Sequence, residues 1–216
     1  MSAAPVADRR TSRPGQAGSA RAVPLGARRD VTHLSLLAAL SASGYGLYRA
    51  YYGLGGTFGM FGVPASEDQW RAINLVAAGL LFAAAVLPLA ARPHWHRGWP
   101  RRVLLAVAWV IAVACIGHAF INDILRVLSL AGRYDVFYPP EVWIAVDRRA
   151  ADLQDLIFNE TWFLLEGGLW FGLAWTVMGP STARRRWAAS AIVAIGLATL
   201  IGLLSAFGVI GRVVIG

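Results

Sequence analysis

Long apolar segments are the feature that most constrains the fold of this 216-residue chain. A helix that crosses a bilayer needs about 20 mostly apolar residues, and five segments are close to that length. They cover residues 32–52, 72–90, 103–124, 156–178 and 187–210. Only 15% of the residues are charged, whereas a soluble domain carries about a quarter. The sequence therefore predicts an all-α bundle of about five transmembrane helices, in a multi-pass protein of the cell membrane.

Turn and cap residues help to place the ends of these helices. Ser66 followed three residues later by Gln69 is typical of a helix start, because the two side chains can cap each other's backbone groups. Gly179 and Pro180 are typical of a helix stop after the fourth segment. These positions separate the second segment from the loop before it, and the fourth segment from the fifth.

Arginine is distributed unevenly among the connections, and all 20 basic residues are arginine. Residues 1–30 contain six arginines, residues 91–102 contain four and residues 179–186 contain three. Residues 53–71 contain one, and residues 125–155 contain four against five acidic residues. Because basic loops stay in the cytosol, the N-terminus is predicted inside and the C-terminus outside. The same rule explains the positive charge without nucleic-acid binding.

Two further segments complete the predicted organisation around the bundle, which we assign to residues 31–216. Residues 1–30 are rich in Ala, Arg, Gly, Pro and Ser and lack aromatics, which predicts a disordered, arginine-rich cytosolic tail. Residues 140–155 are amphipathic and are predicted to form an interfacial helix on the outer leaflet. The charges of that helix are interpreted as a solvated face.

Polar and ionisable residues concentrate in the predicted outer half of the bundle. A charge inside a membrane segment is costly, so it marks a buried site or a pathway. This layer contains Arg49, Asn74, His118, Asn122, Asp123, Asn159 and Glu160. Glu166 lies about 15 Å from the start of its segment at the rise of a helix, close to the midplane. We therefore predict a polar pocket that faces the outside.

Helical spacing groups these residues into two stripes. His118, Asn122 and Arg126 follow each other at four-residue steps and share one helix face, and Asp123 is expected to pair with Arg126. Arg49 is expected either to reach the outer headgroups or to neutralise Glu160 or Asp123. The second stripe steps by four and three residues through Asp155, Asn159, Trp162, Glu166 and Trp170.

The favoured function is the binding of a small amphipathic or lipid-like molecule. Whether the protein also converts this molecule by acid–base chemistry is left open. Glu166 and His118 are the candidate catalytic pair. The candidate binding residues are Arg49, Asn74, Asn122, Asp123, Asn159, Glu160, Trp162 and Trp170. No metal site is predicted, because one histidine with carboxylates is an unspecific set, and no cofactor is identified. The alternatives are a non-catalytic accessory subunit, bound to a membrane-protein partner or to a second copy, and a small transporter.

One short motif follows the first predicted helix. Residues 51–59 read YYGLGGTFG, an aromatic pair followed by x-x-Gly-Gly-x-x-Gly. This motif resembles one in an uncharacterised family of small bacterial multi-pass membrane proteins, a domain of unknown function. The resemblance implies the membrane class and carries no known activity. Its glycines Gly55 and Gly59 are interpreted as serving a tight turn or close helix packing.

Overall fold

Five long helices dominate the computed structural model, which describes residues 25–91, 98–179 and 181–210. In chain order the elements are α1 (Leu25–Gly53), β1 (Gly62–Pro64), α2 (Glu67–Ala91), α3 (Gly98–Leu130), β2 (Trp143–Val146), α4 (Arg148–Gln154), a π-helical turn (Asp155–Asn159), α5 (Glu160–Val177) and α6 (Ser181–Ala206). The two short strands pair antiparallel. The predicted all-α class is confirmed, and a small hairpin-like sheet joins two of the connections.

Each of the five predicted apolar segments is helical, although four helices, α1, α2, α3 and α6, are longer than predicted. The helix α1 begins at Leu25, inside the segment predicted to be a disordered tail, while residues 1–24 of that prediction lie outside the described part. The helix α3 runs on to Leu130, six residues beyond its predicted end. Its last turns are held by side chains from α4, as described below.

Three of the helices are long and apolar enough to cross a membrane. They are the stretches Glu67–Ala90, Pro100–Leu130 and Ser181–Ala206. On their surfaces large apolar side chains are exposed, among them Leu80, Val110 and Ile192, as expected for helices that face lipid. The protein is therefore membrane-embedded. The helices α1 and α5 carry more polar residues, and α5 contains two glutamates.

The glycine-rich loop after α1 is a tight turn that the aromatic pair holds in place. Gly55 and Gly59 have φ angles of +95° and +78°, a backbone region that favours glycine. The Tyr51 hydroxyl accepts a hydrogen bond from the Phe58 backbone N–H at 2.9 Å, and the Tyr52 hydroxyl donates to the Phe58 carbonyl at 3.2 Å. The tight-turn interpretation is confirmed. So is the helix start, since Gln69 N–H donates to Ser66 Oγ at 3.2 Å.

The predicted interfacial helix over residues 140–155 is wrong in its first half. The carbonyl of Pro139 accepts hydrogen bonds from the N–H groups of Val142 and Trp143, both at 3.0 Å, and forms a turn. The chain then pairs as β2 with β1, with Val63 opposite Ala145. Only Arg148–Gln154 is α-helical. Long-range strand pairing thus overrides the amphipathic pattern.

The helices pack in a chain of neighbours around a core of small residues. The helix α1 packs against α2 and α5, and α3 packs against α5 and α6. The helices α3 and α5 pack tightly at Gly167, where an added Cβ would lie 2.6 Å from Ile116 Cγ1 and 3.3 Å from the Ala112 carbonyl oxygen. Glycine is therefore required there by close packing, as at many membrane helix interfaces.

We predict that Gly167→Ala destabilises the folded protein by about 1–3 kcal/mol, because the new methyl group overpacks the α3–α5 interface. Gly168→Ala is the matched control, since a Cβ at Gly168 meets nothing within 4 Å. The measurement is reversible unfolding of the detergent-solubilised variants. Equal stability of the two variants would show that α3 and α5 do not pack at this distance.

Candidate functional site

A cavity of about 330 Å³ lies where α1 ends and α2 begins. Its polar lining side chains include Arg49, Arg126, Gln154, Asp155 and Asn159. The aromatic part of its wall consists of Tyr48, Tyr52, Phe61, Trp70, Phe137, Tyr138 and Trp143. A cavity of this size with mostly aromatic walls and few polar groups is typical of a small-molecule site.

The two short strands place aromatic side chains over this end of the bundle. Phe61 precedes β1 and its ring centroid lies 4.9 Å from that of Trp143, the first residue of β2. The Trp143 ring in turn lies 4.8 Å from Trp70 at the start of α2, and Trp70 lies 6.1 Å from Tyr52 of α1. Strand pairing thus joins four separate parts of the chain into one aromatic wall.

A buried ion cluster around Arg126 forms another part of the wall. Arg126 Nη1 lies 3.1 Å from Asp152 Oδ1, Nη2 pairs with Asp155 Oδ2, and Nη1 donates to the Tyr138 hydroxyl at 2.7 Å. Ser129 Oγ donates to the second oxygen of Asp152 at 2.5 Å. Burial raises the pKa of Tyr138 despite the nearby guanidinium, which acts to lower it. Tyr138 is therefore neutral near pH 7.

This cluster corrects two predictions. Among the described residues, Arg126 pairs with Asp152 and Asp155 and not with Asp123. Two aspartates from separate turns pair with the two terminal nitrogens of the guanidinium, which outweighs a single partner three residues away. Asp152 and Asp155 were expected on a solvated face, yet they are only 2% and 9% exposed. Charge alone does not distinguish a solvated helix face from one that packs on an arginine.

The structure confirms the shared face of the second predicted stripe at its N-terminal end. Asn159 Nδ2 donates to Asp155 Oδ1 at 2.6 Å, and the Tyr45 hydroxyl donates to Asn159 Oδ1 at 3.2 Å. The Tyr45 ring stacks on Trp162 with centroids 5.4 Å apart. The π-helical turn between Asp155 and Asn159 adds a residue to the helical repeat, a feature often found at functional sites. It keeps both side chains on the cavity side.

His118 lies in a neighbouring polar cluster. Its Nε2 is 3.6 Å from Glu160 Oε1, and Asn122 Nδ2 lies 3.1 Å from the same nitrogen. Glu160 is 3% exposed, and its Oε2 atom has no hydrogen-bond partner. The structure therefore brings together three residues that were predicted to lie in the same layer, His118, Asn122 and Glu160. Asp123 is half-buried on the adjoining turn of α3.

Glu166 lies apart from this cluster, at the contact of α1 with α5. Its carboxylate accepts hydrogen bonds from Ser41 Oγ at 2.5 Å and from Trp170 Nε1 at 2.8 Å. The closest carboxylate partner of His118 is Glu160, so the contacts do not join the candidate catalytic pair. Among the described residues that line the cavity, neither His118 nor Glu166 appears.

The remaining predicted residues have diverse surroundings. Asn74 is fully buried, and its Nδ2 donates to the Trp70 carbonyl at 2.8 Å. Arg49 lines the cavity and, within the described residues, has an ion pair neither with Glu160 nor with Asp123. In the part of the chain that the structure describes, no group of three His, Cys, Asp or Glu side chains is arranged to hold a metal ion.

Sequence reasoning missed the tyrosines of α1. Tyr48 and Tyr52 line the cavity, and Tyr48 accepts a hydrogen bond from Gln154 Nε2 at 2.7 Å. Tyr45, Tyr48 and Tyr52 follow each other at three- and four-residue steps, which places them on one helix face. That spacing could have identified the face of α1 that meets α5.

We predict that Arg126→Met lowers the free energy of unfolding by about 3–5 kcal/mol, because it leaves two buried aspartates without a counterion. Arg148→Met is the matched control, since the Arg148–Asp135 pair is exposed and worth little. Chemical unfolding of both variants in the same detergent measures the difference. A loss of similar size in the two variants would contradict the buried ion cluster.

Known proteins provide no guide to the role of this site. No protein-family model, no curated protein and no solved structure matches the chain. The inference of function therefore depends on the geometry of the cavity and of the polar clusters beside it.

Proposed function

We propose that the protein is a five-span membrane protein that binds a small amphipathic or lipid-like molecule in the cavity between α1, α2 and the β1–β2 sheet. The observation that carries the proposal is the 330 Å³ cavity, with its aromatic walls and a few polar groups. Such walls bind the apolar part of a ligand, while the polar groups orient its head. The apolar surface of the bundle supports a ligand that arrives from the lipid.

The proposed topology places the N-terminus in the cytosol and both the cavity and the C-terminus outside. Arginine is concentrated before α1, between α2 and α3 and at the start of α6, which supports this orientation. The helices α1 and α5 are proposed as the two further spans, because each packs against helices that are apolar enough to cross the bilayer. Their polar side chains are directed into protein contacts, such as Ser41 with Glu166.

The resemblance to small bacterial membrane proteins is part of this proposal. Tyr52 and Gly59 belong to the shared motif and line the cavity. The aromatic pair fixes the glycine loop that forms one rim. The resemblance itself supports the membrane class and carries no known activity.

Binding is favoured over acid–base conversion by the positions of the ionisable groups. The cavity's carboxylate, Asp155, is occupied by its ion pair with Arg126 and by a hydrogen bond from Asn159. His118 contacts Glu160, and Glu166 is occupied by Ser41 and Trp170. A proton donor or acceptor must reach the reacting atom directly or through one water. Neither His118 nor Glu166 is among the described residues that line the cavity.

The orientation predicts which loops an impermeant maleimide labels in intact cells. In a Cys115→Ser background, Thr57→Cys in the loop after α1 should react, whereas Ala183→Cys at the start of α6 should react only after lysis. Both positions are exposed, so protection reports the side of the membrane. The reverse labelling pattern would overturn the proposed orientation.

Filling the cavity tests ligand binding. Met60→Trp places a bulky ring in the cavity that Met60 lines, and it should abolish retention of a co-purified or added amphiphile. Leu54→Trp on the same loop is the control, because Leu54 is 81% exposed and lies outside the cavity lining. Native mass spectrometry of both variants, released from a neutral detergent, measures the bound molecule. Equal occupancy in both variants would contradict the cavity as the binding site.

A further inference from the structure

The charged groups that line the cavity differ in their hydrogen-bond and ion-pair partners. Arg126 is paired with two buried aspartates, and the two oxygens of Asp155 accept from Arg126 and from Asn159. Arg49 also lines the cavity, and no hydrogen bond or ion pair links it to the other described residues. One cation of the cavity thus has no counterion within the described ranges of the chain.

Two buried donors without acceptors add to this imbalance. The indole N–H of Trp70 and the Nε–H of Arg126 are buried and have no acceptor among the described residues. The carbonyl oxygen of Asn159 is occupied by the Tyr45 hydroxyl. Two N–H groups of cavity-lining residues without acceptors therefore accompany the cation, while the carboxylate of Asp155 and the carbonyl oxygen of Asn159 already accept hydrogen bonds. A cation and free N–H donors together favour a negatively charged ligand group.

We infer that the ligand has an anionic head group, a carboxylate or a phosphate, that pairs with Arg49. The inference rests on the proposed function, because it names the chemical class of molecule that the cavity binds. A guanidinium suits either group, since it offers parallel N–H donors to two oxygens of a carboxylate or phosphate. The aromatic wall formed by Tyr52, Trp70 and Trp143 then contacts the apolar chain next to the head.

The geometry of α1 supports this role for Arg49. The residue follows Tyr48 directly and lies four residues after Tyr45, whose ring packs on α5. The neighbouring acidic groups contact other residues. Asp152 and Asp155 pair with Arg126, and Glu160 lies beside His118. A negatively charged ligand can supply the counterion that the described residues do not provide to Arg49.

The experiment compares dodecyl phosphate with dodecanol on the full-length protein in phosphatidylcholine nanodiscs, by titration calorimetry. We expect Arg49→Gln to weaken dodecyl phosphate binding by about tenfold or more, the effect of losing a charged hydrogen bond. Dodecanol binding should stay unchanged. Arg49→Lys should retain a large part of the affinity, because the charge remains. Arg71→Gln is the control, since Arg71 is exposed and paired with Glu67.

The outcomes separate this inference from the proposed function. Equal weakening of both amphiphiles by Arg49→Gln, or no effect on either, would overturn the anionic head group while the cavity proposal stands. If Met60→Trp leaves both affinities unchanged, the cavity proposal fails. Inorganic phosphate is tested as well. If it binds as tightly as dodecyl phosphate and depends on Arg49 to the same extent, the anion site is supported and the proposal of a lipid-like ligand is overturned.

Discussion

The ion cluster of Arg126 with Asp152 and Asp155 is the interaction on which the geometry of the site depends. It joins the last turns of α3 to α4 and to the π-helical turn before α5. Because Tyr138 also accepts a hydrogen bond from Arg126, the loop between α3 and β2 is tied to the same point. A buried ion cluster adds little net stability over apolar packing, yet removal of one member is costly. Its main effect is therefore to fix one arrangement of the cavity wall.

The contact between α1 and α5 uses polar groups in a different way. Ser41 and Trp170 both donate to Glu166, and Tyr45 donates to Asn159. Within a bilayer, hydrogen bonds between helices contribute about 0.6–2 kcal/mol each. The Ser41–Glu166 and Tyr45–Asn159 bonds join α1 to α5 and to the turn before it, whereas the Trp170–Glu166 bond lies within α5. The buried carboxyl group of α5 thus has a structural explanation that requires no chemistry at Glu166.

The sequence predicted what short-range patterns control. Apolar length predicted all five long helices, and helical spacing predicted that Asp155 and Asn159 share a face. The predicted partner of Arg126, Asp123, was wrong. The observed partners, Asp152 and Asp155, reach Arg126 only because the chain folds back after the loop that contains β2. The β1–β2 pairing was missed for the same reason, since no local pattern specifies which segments meet. The number of membrane crossings and their orientation remain predictions from apolar length and arginine distribution.

The surroundings of the ionisable groups support the proposal that this cavity binds a ligand rather than converts one. Asp155 is held by Arg126 and Asn159, and Tyr138 is kept neutral because burial raises its pKa. General acid–base catalysis needs a group whose proton can move near neutral pH, and the neutral Tyr138 is not such a group. Arg49 has a permanent charge and no counterion among the described residues, so it can pair with a negative group without transferring a proton. Under the proposed function, this fixed charge beside the aromatic rings selects the ligand.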